Sequence, residues 1–497
     1  MTDLDYTPKK EGEDMKRFLV LALLAAFVLG AGVANAATTL KTSGEMTFNY
    51  GWWDNTNFFS TNTDKSNEDD LMASQRFRAY FDWSASEALR GVFGIEFGTA
   101  IWGNQATGAD LDGDERAIEV KHAYMDFTVP NTGLMVRMGL QPIALPGNFG
   151  SPILDVDDTG ILLQYKFNDM ISAAFGWFRL YNKNTGDNNA ISNVKGAKND
   201  EVDAFALLLP IKGDGFTVTP WAAYALHGAN ATDAGAGGAL SAGLIPVNAS
   251  APVADELTVW WAGTSIKVDA FNPFVLMADV FYGKQDGSNN SRNDREGWMF
   301  DLAVDYKMDK VTPELFYMYS TGDDDDISNG SERMPTINNE SKFTGNAFGG
   351  NVSFTSFGFG GSQANLSDYD AVLDPTGTSG IWVLGAKLKD FSFVEGLKHT
   401  LTVAYGKGTN DSDGVKKGVT GAGITEKDSF WEVDFDHQYS IYENLTAYIE
   451  MGYVNLDMDA DTWNKGGSAR NPFSASKLNV DDMTAAWKLA MCLKYKF

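Results

Sequence analysis

From residue 37 onward, apolar and polar residues alternate along most of the chain, which is the pattern of β-strands whose two faces meet different surroundings. The end of the chain shows this most clearly, because one face of residues 487–497 is apolar throughout. That face consists of Trp487, Leu489, Met491, Leu493, Tyr495 and Phe497, and the other face carries Lys488, Lys494 and Lys496. The same alternation recurs in residues 76–83, 298–307 and 431–436. The sequence therefore predicts many strands that are apolar on one face and solvated on the other.

The connections between the predicted strands alternate between short and long. Tight turns near 86–88, 168–169 and 308–310 are separated by long polar stretches. The long stretches lie near 51–74, 103–115, 142–159, 183–200, 228–254, 286–296, 321–380, 409–428 and 460–482. Such alternation is typical of transmembrane barrels and is not expected of a β-sandwich. Nine long loops predict nine hairpins and 18 strands, although 346–360 also shows a strand pattern and 16 strands stay open if one loop folds back.

An open sheet cannot stand in hydrocarbon, because its two edges would leave backbone N–H and C=O groups without partners. The first and last strands are therefore expected to pair. The predicted fold class is an all-β, transmembrane, antiparallel β-barrel with short periplasmic turns and long external loops. Aromatic residues near the strand ends, such as Trp298, Tyr306, Trp431 and Tyr495, are expected at the two boundaries between lipid and water.

The N-terminal segment has the pattern of a secretory signal peptide. An apolar run, Phe18–Leu29, follows Lys16 and Arg17 and precedes Ala34-Asn35-Ala36, and it is too short for a membrane-spanning helix. Residues 15–36 are thus predicted to be a cleaved signal peptide that directs export. Residues 1–14 are interpreted as an extension from a start codon assigned too far upstream, and residues 37–497 as a single barrel domain.

Composition narrows the classes of partner. Residues 1–36 hold four basic and five acidic residues, and removing them changes the net charge from −27 to −26. A charge of this sign repels phosphates and argues against nucleic-acid binding. A single cysteine, Cys492, excludes an intramolecular disulfide even in an exported protein.

The C-terminal strand carries a family resemblance. Leu493, Tyr495 and Phe497 resemble the ending of Gram-negative outer-membrane proteins, which the barrel-assembly machinery recognises. Residues 121–125 and 136–141 resemble the strand pair before the constriction loop of general homotrimeric porins, including the branch found in sulfate-reducing bacteria. The resemblance implies a homotrimer in the outer membrane of a Gram-negative bacterium, in contact with lipid and lipopolysaccharide, that passes small hydrophilic solutes.

In that family the third external loop folds into the barrel and presents acidic groups to a basic wall. The corresponding connection here is 142–159. The residues that the resemblance places at the constriction are Arg76, Arg78, Arg90, Arg137, Asp155, Asp157 and Asp158. Opposed charges of this kind would favour small polar solutes over apolar ones. The alternative is that the arginines only line a wide wall and pair with local carboxylates, and that the aspartates form a solvated turn.

Other chemistry is weakly indicated. The acidic runs Asp323–Asp326 and Asp110–Glu115 have the oxygen ligands that divalent cations prefer, but without the spacing of an EF-hand loop, so solvated loops are expected and no metal site is predicted. The four histidines are far apart in sequence and no H-E-x-x-H or G-x-S-x-G motif occurs. Neither a cofactor nor an enzymatic activity is therefore expected.

Four functions are weighed. The first is a general diffusion porin, in which loop 142–159 narrows the pore. The second is a substrate-selective channel with 18 strands. The third is a structural or adhesive barrel with a plugged interior, and the fourth is a barrel enzyme.

Overall fold

The protein folds into one closed sheet of eighteen antiparallel strands. The computed structural model describes residues 38–55, 70–104, 118–182, 201–228, 256–287, 291, 294–326, 328–337, 340–341, 380–417, 424–464 and 479–497. The strands are β1 (Thr39–Asp54), β2 (Asp70–Ser86), β3 (Leu89–Ile101), β4 (Glu119–Thr128), β5 (Leu134–Ala144), β6 (Asp155–Lys166), β7 (Ser172–Asn182), β8 (Glu201–Leu208, continued by Ile211–Gly213), β9 (Phe216–His227), β10 (Leu257–Val268), β11 (Phe274–Asp286), β12 (Arg295–Tyr306), β13 (Thr312–Ser320), β14 (Ile381–Val394), β15 (Leu397–Gly408), β16 (Ser429–Tyr442), β17 (Leu445–Asp457) and β18 (Ala486–Lys496).

Closure is achieved by pairing of β1 with β18, while every other strand pairs with its neighbours in sequence. Glu45 lies opposite Lys496 and Asp54 opposite Trp487, so the seam runs over most of both strands. Below it, Gly44 and Phe497 exchange two backbone hydrogen bonds of 2.9 and 3.1 Å. The predicted closed antiparallel barrel is thus confirmed, with 18 strands. The strand pattern noted in 346–360 lies outside the described residues, as do residues 1–36 with their predicted signal peptide.

The two faces of the sheet differ as the alternation predicts. Large apolar side chains are exposed around the outside, for example Phe48 and Trp52 on β1 and Leu384 on β14. On β1, the inward positions beside Phe48 hold polar residues, Thr47 and Asn49, which are buried. The barrel therefore has an apolar outer belt.

Aromatic side chains form rows at both ends of this belt. Toward the long loops, Trp260 contacts Tyr282 (centroids 5.0 Å apart) and Tyr282 contacts Trp298 (4.5 Å). Farther round, Tyr405 contacts Trp431 at 4.8 Å. Toward the short turns lie the pairs Phe274–Tyr306 (5.0 Å) and Tyr495–Phe497 (5.9 Å). Amphipathic rings in two bands are typical of a barrel whose waist lies in a bilayer.

The strand ends that the long connections join lie at one rim, and those that the short turns join lie at the other. The predicted boundaries of the third connection are too wide, because β5 continues to Ala144 and β6 begins at Asp155. Loop 3 is therefore Leu145–Leu154, and the three predicted aspartates belong to a strand. The long connections also contain two short helices, α1 (Ser412–Lys417) and α2 (Ala460–Trp463). Among the described residues, no helix is long and apolar enough to cross a membrane.

Candidate functional site: the lumen

Loop 3 lies inside the barrel instead of projecting from its rim. Its tip, Asn148, reaches the inner wall at β10 and β11, which are four and five strands away from β6. There the side-chain amide donates to Asp279 Oδ1 (2.9 Å) and to the carbonyl of Ile266 (3.0 Å), and the backbone N–H donates to Asp279 Oδ2 (2.6 Å). The loop therefore crosses the lumen and is fastened on its far side.

The loop after β13, loop 7, also enters the lumen in its described part. Trp261 on β10 donates its indole N–H to the carbonyl of Pro335 at 2.7 Å. The Ile337 N–H donates to the carbonyl of Ile153 in loop 3 at 2.9 Å, and Glu340–Ser341 pairs with Gly150–Ser151. Loops 3 and 7 thus form one hydrogen-bonded unit that narrows the barrel.

Two of the predicted arginines lie on β2 beside carboxylates of the adjacent strands. Arg78 donates from Nε to Glu96 Oε2 on β3 at 2.5 Å and lies 3.9 Å from Glu45 on β1. Arg76 lies 3.7 Å from the same Glu45. Because the register puts Arg78 opposite both Glu45 and Glu96, these pairs follow directly from the strand alignment.

The other two predicted arginines share one carboxylate. Asp126 on β4 accepts from Arg90 on β3 (2.7 and 2.9 Å) and from Arg137 on β5 (2.7 and 3.0 Å). Arg90 also donates to Asp82 at 3.0 Å. The guanidinium of Arg137 lies 4.5 Å from the ring centroid of Tyr124, which adds a cation–π contact.

The three predicted aspartates lie at the start of β6, where the hairpin leaves the wall. Asp157 binds His122 (2.9 Å) and Lys121, both on β4. Asp158 accepts from the backbone N–H of Thr159 at 2.6 Å, and Asp155 lies opposite Ala144. The structure pairs all four arginines with wall carboxylates. It places Asp157 beside a different pair of basic side chains, Lys121 and His122. The role of the seven residues in narrowing the pore stays a prediction.

A second charged wall was not singled out from the sequence. The inner faces of β11–β17 carry Asp279, Asp301, Asp305, Glu314, Glu432, Asp434, Asp436 and Glu450. Lys389 on β14 binds Asp305 (2.7 Å) and Glu314 (2.6 Å), and Lys387 lies 3.4 Å from Glu314. Among the described residues, carboxylates on this wall outnumber basic groups. Acidic residues at every second position could have indicated this wall. They were not specific, because a polar lumen face is expected in any channel.

The histidines and acidic loops also take definite positions. His399 and His437, far apart in sequence, meet on the outer face of β15 and β16 with 2.7 Å between their Nδ1 atoms. Asp323 accepts from the Glu332 N–H at 3.1 Å, and Asp325 pairs with Lys417. In the described part of the chain no group of three or more potential ligands is placed to hold a metal ion. Asp110–Glu115 lies outside the described residues.

Comparison with known proteins shows the fold of the chain and does not show its family. No protein-family profile and no curated protein sequence matches the chain. Among solved structures, Acinetobacter baumannii OccAB3 is similar with a TM-score of 0.52 and 11% identity, covering 92% of this chain and 99% of that one. A BenF-like porin from Pseudomonas fluorescens Pf-5 gives 0.51 and 13%, covering 92% and 98%. The similarity does not single out the general homotrimeric porins that the sequence resembles. This chain shares the closed antiparallel barrel fold of OccAB3 and the BenF-like porin.

Proposed function

We propose that the protein is a passive channel of a Gram-negative outer membrane that admits small hydrophilic solutes selectively. The observation that carries the proposal is loop 3, which crosses the lumen and is fastened to Asp279 on the far side. A closed barrel with an apolar belt suits a bilayer, and an interior lined by ion pairs suits water. The loop turns a wide cylinder into a narrow path, which favours a selective channel over a general diffusion pore.

Charge on the two walls supports a preference for cations. On β2–β5, Arg78, Arg90 and Arg137 are matched by nearby carboxylates, so this side carries little net charge. The inner faces of β11–β17 carry an excess of carboxylates among the described residues. Rings and rows of one sign are how pores select ions. Cations are therefore expected to pass more readily than anions.

The purified protein in a planar bilayer tests the proposal. Discrete conductance steps are expected, and a salt gradient should give a reversal potential of the sign for cation preference. Absence of steps would overturn the channel and favour the plugged structural barrel, for which the packing of loops 3 and 7 is the supporting observation. Equal permeability to many unrelated solutes would favour a general porin.

The proposal includes partners that follow from the setting. Leu493, Tyr495 and Phe497 are proposed as the signal for the barrel-assembly machinery, and lipid and lipopolysaccharide as the surroundings of the outer belt. A homotrimer is the assembly expected from the resemblance to general porins. Cross-linking in native membranes distinguishes a trimer from a monomer.

A further inference from the structure

The inner wall behind loop 3 differs from the charged walls because it is apolar and built from small side chains. Ala174 and Gly176 on β7, Ala204 and Ala206 on β8, and Ala223 on β9 face inward. Because the residues on the wall are small, a cavity of about 180 Å³ remains between the wall and loop 3.

This cavity is the apolar pocket. Its lining comes from the third hairpin, the barrel wall and loop 7. Ile143 lies at the end of β5 and Ile153 in loop 3, Phe178 and Trp261 lie on the barrel wall, and Ile337 lies in loop 7. Four of them, all except Ile143, are no more than 4% exposed. An engineered cavity of about 150 Å³ with a similar aliphatic and aromatic lining stays dry and binds benzene. The apolar pocket therefore has the size and chemistry to take a single ring.

A polar cavity adjoins the apolar pocket on the side of the short turns. It has a volume of about 440 Å³ and shares Gln164 and Ala174 with the apolar pocket. Lys166, Asp169 and Lys212 line it. Lys166 and Asp169 form an exposed pair at 2.6 Å, so groups of both signs line the polar cavity.

We propose that the apolar pocket binds the ring of a small zwitterionic solute, of which an aromatic amino acid is the simplest example. The ring displaces no ordered polar group, because the lining offers almost none. The ammonium and carboxylate groups stay in the polar cavity, where Asp169 and Lys212 complement them. This inference rests on the proposed function in one respect, because the solute reaches the apolar pocket through the lumen of the channel.

Ligand-observed saturation-transfer NMR on the full-length protein in detergent micelles tests the proposal, with L-phenylalanine and L-alanine as probes. The two solutes have the same charged groups and differ only in the ring. Burial of a phenyl group should make the dissociation constant of L-phenylalanine, taken from the concentration dependence of the signal, at least roughly tenfold lower than that of L-alanine, since burying an aromatic side chain strengthens binding by about that factor. Equal dissociation constants for the two solutes would overturn the proposal.

Adjacent alanines on β9 provide a matched pair of variants. Ala223→Phe fills the apolar pocket, whereas Ala222→Phe puts the same ring on the exposed outer face. The first should abolish the phenylalanine signal and the second should leave it unchanged. Ala206→Leu fills the pocket with a smaller side chain if Ala223→Phe does not fold. A phenylalanine signal that survives pocket filling in a folded variant would contradict the proposal.

Failure of the pocket and failure of the channel are distinguishable. The NMR measurement needs no ion flow. Phenylalanine binding without bilayer conductance would overturn the channel and leave the pocket standing. Conductance together with equal dissociation constants for phenylalanine and alanine would overturn the pocket alone.

Discussion

At the scale of single residues, the lumen neutralises its arginines locally. Arg78 and Arg90 each meet carboxylates on both neighbouring strands, and Asp126 binds two guanidinium groups. Charge-assisted hydrogen bonds of this kind are strong when the fork of the guanidinium meets two oxygens. The wall is thus held in a fixed arrangement, and its net charge depends on each member.

Reversing two of these charges should change ion selectivity. The double variant Arg76→Glu with Arg78→Glu adds two carboxylates beside Glu45 and Glu96. The reversal potential in a salt gradient should shift toward cations. The matched control, Arg76→Lys with Arg78→Lys, keeps both charges and should leave the potential nearly unchanged. An unaltered potential in the glutamate variant would show that these residues lie outside the selective part of the pore.

The sequence predicted which face of each strand these residues occupy but not their partners. Arg76, Arg78 and Asp82 alternate with aromatic residues, so the period of two is sufficient to place them inside. Their partners depend on register between strands, which the turns and bulges set and a single sequence does not reveal. The same limit explains why Asp279 was not predicted to hold loop 3.

At the scale of elements, the side chain of Asn148 fastens the tip of loop 3 to the far wall. Asn148→Ala removes the side-chain hydrogen bonds to Asp279 and to the Ile266 carbonyl. A hydrogen bond to a charged group contributes roughly 1.5–3 kcal/mol net, so the tip should detach for part of the time. Larger and noisier single-channel currents are expected. Asn444→Ala, in an exposed turn at the opposite rim, is the control and should conduct like the parent.

Loop 7 should loosen as the pH rises. Burial, together with the nearby charges of Asp323 and Asp324, raises the pKa of Glu332 from 4.5 to about 7. The stability that the protonated Glu332 gives the loop is complete below pH 4.5 and is lost as the pH rises through 7. Amide exchange of residues 321–337, corrected for intrinsic rates, should therefore be faster at pH 8 than at pH 5.5.

A variant isolates the contribution of this carboxyl group. Glu332→Gln keeps the shape of the side chain and removes its titration. Exchange in loop 7 should then vary little between the two pH values. Unchanged pH dependence in this variant would assign the effect to another group.

The apolar inner wall of β7–β9 escaped prediction because both faces of these strands are apolar. Phe175 and Leu207 are exposed on the outside, while Ala174, Phe178 and Ala204 face inward. In a barrel with a polar lumen, the apolar face of each strand is predicted to point outward. Where both faces of a strand are apolar, this rule does not say which face points inward. The inner face is the one that contacts loops 3 and 7, and those contacts depend on the whole fold.

At the scale of the whole molecule, the seam between β1 and β18 should be sensitive to small changes. A side chain added at Gly44 would meet the backbone oxygen of Arg78 and would lie 2.6 Å from the ring of Phe497. Gly44→Ala should therefore strain the closure, at a cost of about 1–3 kcal/mol. The temperature at which the folded band disappears in semi-native gel electrophoresis should fall.

Gly91→Ala is the matched control for this prediction. An added side chain at Gly91, which lies on β3, meets nothing within 4 Å. The control should unfold at the parent temperature or slightly above it, since alanine restricts the unfolded chain more than glycine does. Equal losses in both variants would mean that the seam has no special role.

The number and direction of the strands were predictable because short and long connections alternate along the chain, and each connection joins two antiparallel strands. Each predicted long connection joins two strand ends at the same rim, although the loop limits shift by several residues where the strands are longer than predicted, as β5 and β6 are.

The fastening of loop 3 also has a consequence for the order of assembly. Asn148 and Asp279 are 131 residues apart, and the site at Asp279 exists only after β10 and β11 have joined the growing sheet. Until then the third hairpin has nothing to hold its tip. The passage consequently acquires its final bore only after strands far apart in the sequence have come together.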